Sequence, residues 1–163
     1  MDIHYSDIKS KVRWHLSNIG KRIYSKDGKN MFSNITVSSV EETLFDQYIE
    51  EAAQNVEALA RPMVTQFNLI PKTQHTEAMI TITLVNTRSS DDFDTRAKEL
   101  ITTYITMYTL QEYLSMSHPE LAQKYQKTST DALQSIMMYV YHKEPPAQAS
   151  TNPLSITTTV TNS

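Results

Sequence analysis

The hydrophobic period changes once, and changes back, along this chain. From Tyr5 to Ile23 and from Phe45 to Ala60 apolar residues recur at steps of three and four. From Met63 to Val85 they do not. There Met79, Thr81, Thr83 and Val85 alternate with Ile80, Ile82 and Leu84. A step of three or four marks one face of a helix, and alternation marks a strand. After Ser89 the helical period returns and holds to about His142. One extended unit between helical flanks limits the chain to a few architectures. A two-stranded hairpin is marginal alone in water, so it must pack on the helices or pair with something else.

The first helix is expected from Asp2, as N-cap, to about Tyr24. Its inward stripe is Tyr5, Ile8, Val12, Leu16, Ile19 and Ile23. Gly28 suits the turn that follows. Ser39 and Glu42 read as a capping box for a second helix, Val40 to Leu59, closed by Arg61-Pro62. The hairpin spans about 63–86, with the polar stretch 71–77 between its strands. A third helix is expected from 89–94 to Met116, with apolar residues on two sides, which is the pattern of a central helix. A second Ser-x-x-Glu box at Ser117–Glu120 restarts the chain into a fourth helix. Pro145-Pro146 ends the body. The fold class is therefore mainly α (α+β): a bundle of about four helices, one inserted hairpin and an extended C-terminal arm. The domain division is 1–144 and 145–163.

The arm carries no charge and no aromatic ring. Leu154, Ile156, Thr158 and Val160 fall on alternate positions. A strand outside a compact body cannot satisfy its own backbone, so the arm is expected either to be a disordered end or to add to a sheet edge, its own or, as the leading idea, that of another subunit.

Composition narrows the chemistry. With no cysteine there is no disulfide framework, thiolate nucleophile or Cys-based zinc site. With two glycines there is no glycine-rich phosphate loop. None of the five histidines stands four residues from another, the helical metal spacing. The acidic pairs Glu41-Glu42, Glu50-Glu51 and Asp91-Asp92 are helix neighbours that point apart, so they read as solvated faces and dipole partners. No cofactor and no enzyme activity is expected. The N-terminus lacks the apolar core of a signal peptide, and no apolar run approaches a membrane span, so synthesis in a cytoplasm with no membrane contact is expected.

Charge is partitioned between the first two helices. Lys9, Lys11, Arg13, Lys21 and Arg22 make the first basic, whereas Glu41, Glu42, Asp46, Glu50 and Glu51 make the second acidic. Three uses are open: solvated faces, pairing of the two helices within or between subunits, or a phosphate-binding stripe on the first helix. Trp14 lies off the main stripe, as a core residue or an interface anchor. The hairpin residues Phe67, Leu69, Ile80, Ile82 and Leu84 are candidates for a sheet shared with a neighbour.

Two helices, a hairpin and two helices in a cysteine-free chain resembles the head-to-tail adaptor (connector) proteins of tailed bacteriophages. The residues that carry the resemblance are FDQYIEEAAQNVEALARP, the hairpin MVTQFNLI with AMITITLV, and the run ELITTYITMYTLQEYLSMSHPELAQKYQKTSTDALQSIMMYVYHKEPP. Together they lie within about residues 1–146. The last run resembles the tail-proximal half of such proteins in phages of Bacteroides-like hosts. The resemblance implies a structural virion protein, made in the host bacterial cytoplasm. It would form a homo-oligomeric ring of about a dozen copies with a head-to-tail contact between neighbours. The ring would join the portal to another tail or neck protein, and DNA would pass through without specific binding. No catalytic residue is implied. The alternatives are another ring or tail-completion protein, or a nucleic-acid-binding or regulatory protein using the basic first helix.

Overall fold

The computed structural model describes residues 1–20, 39–74, 76–85 and 92–141. These form a mainly helical domain with a three-stranded antiparallel sheet. In chain order the elements are β1 (Asp2–His4), α1 (Tyr5–Gly20), α2 (Ser39–Ala60), a 3-10 turn (Arg61–Met63), β2 (Val64–Ile70), β3 (Met79–Leu84), α3 (Phe93–Ser115) and α4 (Pro119–Tyr141).

The N-terminus corrects the expectation of a helix from Asp2. Asp2–His4 is a strand, and the sheet order is β1-β3-β2, so the hairpin is part of a larger sheet. Asp2, Ile3 and His4 pair with Thr81, Ile80 and Met79. Asp2 caps nothing; its Oδ1 accepts a hydrogen bond from Thr81 Oγ1 at 2.8 Å. The helix starts at Tyr5, whose N–H donates to the Ala78 carbonyl at 3.0 Å and ties α1 to the start of β3.

Alternation in the strands places Ile3, Ile80, Ile82 and Leu84 inward, all buried. Phe67 and Leu69 stand opposite Ile82 and Ile80 on the same face, but are only half-buried. They belong to β2, an outer strand. A register shift between Val64 and Gln66 marks a bulge at Thr65, and such irregularities are common on edge strands.

α3 is the central helix, packing on α1, α2, α4 and β1. Phe93, Ala97, Ile101, Tyr104, Ile105, Leu110 and Leu114 are buried on it. So are Thr102, Thr106 and Thr109. Each hydroxyl donates to the carbonyl one turn back, on Lys98, Thr102 and Ile105, at 2.7, 2.7 and 2.8 Å. A buried hydroxyl without a partner costs roughly 1–3 kcal/mol, and this local bond removes that cost.

α3 and α4 form an antiparallel hairpin. Its cap differs from the Ser117–Glu120 box. His118 occupies the cap position, its carbonyl accepting from the N–H groups of Leu121 and Ala122 at 3.0 Å each. Pro119 takes the first helical position, where its missing N–H costs nothing. Ser129 Oγ lies 2.8 Å from Gln111 Oε1 and 2.9 Å from the Gln126 carbonyl, sharing its proton between them.

Phe45 is fully buried and meets Tyr113 at a centroid distance of 5.1 Å. Phe45→Ala is expected to lower the unfolding free energy by about 3–5 kcal/mol. The exposed Lys11→Ala is expected to change it by less than about 0.5 kcal/mol. Urea unfolding followed by circular dichroism checks both.

Candidate functional site

The charged faces meet within one chain. Lys9 Nζ lies 2.9 Å from Glu42 Oε2 and 2.7 Å from Asp46 Oδ1. Arg13 Nη2 pairs with the other oxygen of Glu42. Lys9 and Arg13 are one helical turn apart on α1, and Glu42 and Asp46 one turn apart on α2, so the two short rows face each other. Lys9 is well covered, its side chain 14 % exposed. A charge that far from water needs its partners.

The next acidic residues of α2 are engaged differently. Glu50 Oε1 accepts from the Tyr5 hydroxyl at 3.4 Å. Glu51 accepts from the Tyr108 hydroxyl. Burial and the nearby carboxylates push both phenols well above their ordinary range. They stay protonated and act as donors. Glu42, Asp46, Glu50 and Glu51 thus all have partners inside the subunit. Of the uses left open by the charge pattern, Lys9, Arg13, Glu42 and Asp46 show pairing within one chain, along an α1–α2 seam. Lys11 is exposed on the opposite flank of α1, near Asp7 and Lys98. Glu41 lies in the first turn of α2, whereas Lys21 and Arg22 lie outside the described residues, as do Leu154, Ile156, Thr158 and Val160 of the arm. The hairpin candidates divide: Ile80, Ile82 and Leu84 are core, and only Phe67 and Leu69 keep part of their surface.

The Glu42 carboxylate, the second half of the expected capping box, reaches across to Lys9 and Arg13; the Ser39 side chain of that box lies outside the described residues.

A second feature stands at the other end of α1. Trp14 is 63 % exposed and therefore no core residue. Its ring meets His15 edge-on at 4.9 Å, and His15 meets Tyr125 of α4 edge-on at 6.1 Å. With Ile19 and Met107 these rings line an open groove of about 570 Å³ between α1, α3 and α4. Lys124 supplies its charge. Burial lowers the His15 pKa below its ordinary value, so the imidazole is neutral at pH 7. Its neighbours Trp14 and Tyr125 were visible in sequence as aromatics. Their convergence was not, because α1 and α4 lie far apart along the chain.

Among the described residues no three His, Asp or Glu side chains group as a metal site. None of the described helices is long and apolar enough to cross a membrane. No family model, curated protein or solved structure matches the chain.

Two measurements probe these features. Glu42→Gln leaves Lys9 half-paired and is expected to cost about 1–2 kcal/mol, between the ranges for exposed and buried pairs. The same substitution should cost less in ~1 M NaCl, where exposed partners are screened. His15 gives a pH dependence. Its folded-state pKa lies below its unfolded value near 6.5. The unfolded chain therefore takes up the proton first as pH falls. Its contribution is complete above about pH 6.5 and is lost as pH drops toward the folded pKa. His15→Gln should flatten that part of the curve of unfolding free energy against pH.

Proposed function

We propose that this chain is a non-catalytic assembly subunit: a head-to-tail connector protein that closes into a ring at the neck of a tailed phage particle. The observation that carries the reading is the Trp14 groove on a small helical body. A large aromatic side chain with most of its surface in water, above a trough where Ile19, Met107 and Tyr125 are edged by Asn18, Lys124 and Thr128, has the composition of an interface centre. The sequence resemblance, in its order of two helices, hairpin and two helices, supplies the kind of assembly. In this reading the occupant of the groove is a second copy. The contact is head-to-tail, so each subunit offers the groove to one neighbour and a different surface to the other. Closure then gives a ring of roughly a dozen copies, seated between the portal and a further tail or neck protein. DNA passes through and is not specifically bound. The protein is made in the cytoplasm of the bacterial host and resides in the virion.

The alternative, nucleic-acid binding by the basic α1, is weakened by one observation. Lys9 and Arg13 already have carboxylate partners, and each paired cation is one fewer for phosphate.

Imaging of native particles by cryo-electron microscopy, with the chain tagged, tests the reading. A closed ring of this chain at the head–tail junction is the expected result. Its absence from the particle, together with salt-sensitive DNA binding lost in Lys11→Ala, would overturn it. Trp14→Ala should change monomer stability by less than about 1 kcal/mol, since the side chain is exposed. The same variant should prevent ring closure, read as missing connector density.

A further inference from the structure

The sheet has one long outer edge. In the order β1-β3-β2 the central strand is β3, and among the described residues no strand pairs with the far side of β2. Alternate residues there turn N–H and C=O groups outward, which invites another strand. The bulge at Thr65 leaves Gln66–Ile70 as the regular part of this edge.

The two faces of the sheet differ at this edge. On the inner face Ile80 and Ile82 are fully buried, but their partners Phe67 and Leu69 are only half-covered. On the outer face Asn68 stands beside Thr81, and Thr65 donates to the Thr83 carbonyl at 3.1 Å. The edge therefore asks for a strand that is apolar on one side and rich in hydroxyls on the other. The segment Leu154–Thr161 has that pattern: Leu154, Ile156, Thr158 and Val160 alternate with Ser155, Thr157, Thr159 and Thr161. It has no charge to bury.

We propose that residues Leu154–Val160 add to the outer edge of β2 of their own chain as a fourth strand. The place where α4 ends decides the source. The Tyr141 hydroxyl donates to the Leu59 carbonyl at 3.0 Å, so α4 finishes beside the end of α2, just ahead of β2. The twelve residues from His142 to Pro153 span up to about 40 Å at ~3.3 Å each. β2 is about 23 Å long at the same rise. The tether reaches either end of it. A tether of this length holds the arm at an effective concentration of order millimolar, above that of free neighbours in dilute solution. Exchange between two copies would also put donor and acceptor on one patch. That favours a reciprocal pair closed on itself over the head-to-tail contact of a ring. The inference stands apart from the connector reading and gives the arm a task within the subunit.

The absence of cysteine makes the test direct. In the full chain Asn68→Cys is combined in turn with Ser155→Cys, Thr157→Cys, Thr159→Cys and Ile156→Cys, then oxidised at low protein concentration. A disulfide within one chain is expected for at least one hydroxyl-side position and not for Ile156→Cys, which faces the other way. Hydrogen exchange supplies a readout free of disulfide geometry. The β2 amides should exchange at least about tenfold faster in the full chain carrying Ile156→Asp and Val160→Asp. Disulfides that form only between chains would overturn the proposal in favour of strand donation to a neighbour. Unchanged β2 exchange in the double variant would overturn it outright.

Discussion

The described domain is arranged around one helix, α3, which keeps the face of Thr95, Arg96, Glu99 and Thr103 for water. α3 meets α1, α2, α4 and β1, and its buried surface includes three threonines as well as Ile101, Ile105, Leu110 and Leu114. A helix buried on so many sides is usually apolar throughout. Here the threonines return their hydroxyl protons to the carbonyls one turn back, which makes them small, self-satisfied and close in shape to valine. The hydroxyls need no partner from another element. Their neighbours are therefore free to be chosen for packing alone.

That freedom explains where the polar groups of the domain sit. The acidic row of α2 is not scattered on a solvated face. Glu42 and Asp46 hold Lys9 and Arg13, while Glu50 and Glu51 hold the phenols of Tyr5 and Tyr108. One helix thus fixes its orientation on two others by a line of charge-assisted bonds. The apolar core beneath (Phe45, Ile49, Ala52, Ala53 and Val56, all buried) gives affinity without direction. The line supplies the direction. Its cost is that these charges are no longer available to a partner. The assembly surface that the proposed function requires is then to be sought where the chain leaves apolar area uncovered, and the exposed Trp14 ring is such a place.

Much of this architecture was legible in the sequence because it rests on periodicity. α2 was expected at Val40–Leu59 and runs Ser39–Ala60. The central role of α3 followed from its apolar residues on two sides. β1 was not legible. Three residues are too few to show a period, and Asp2–His4 is a strand only because β3 offers it an edge. Local propensity favoured a cap, and a long-range pairing overrode it. The same reason hid the partner of Glu42. Lys9 and Arg13, which hold its carboxylate, are distant from it in sequence and adjacent in space. Charge pattern alone left pairing within or between subunits open, because it carries no information on which copy of α1 lies against α2. Trp14 was ambiguous for a related reason: a residue beside the apolar stripe is core or surface according to which helix packs next to it.

The sheet shows how such an override shapes a surface. β3 is protected by a strand on each side, and its inward residues are buried. β1 is only three residues long, so its outer side offers little to pair with, a common way of blunting an edge. Among the described residues β2 has no such protection beyond the bulge at Thr65. A half-covered apolar pair, Phe67 and Leu69, lies along that same strand. Unmet backbone bonds and unburied side chains at one place favour the same event, the arrival of another strand, and each makes the other harder to leave in water. The nearest unassigned alternating segment is the chain's own arm, leaving α4 beside the start of β2. Covering that edge from within the subunit would leave the helical faces, the Trp14 groove among them, as the surfaces open to the copies that the proposed ring requires. It would also suppress the edge-to-edge pairing that turns subunits with open sheets into fibres instead of closed rings.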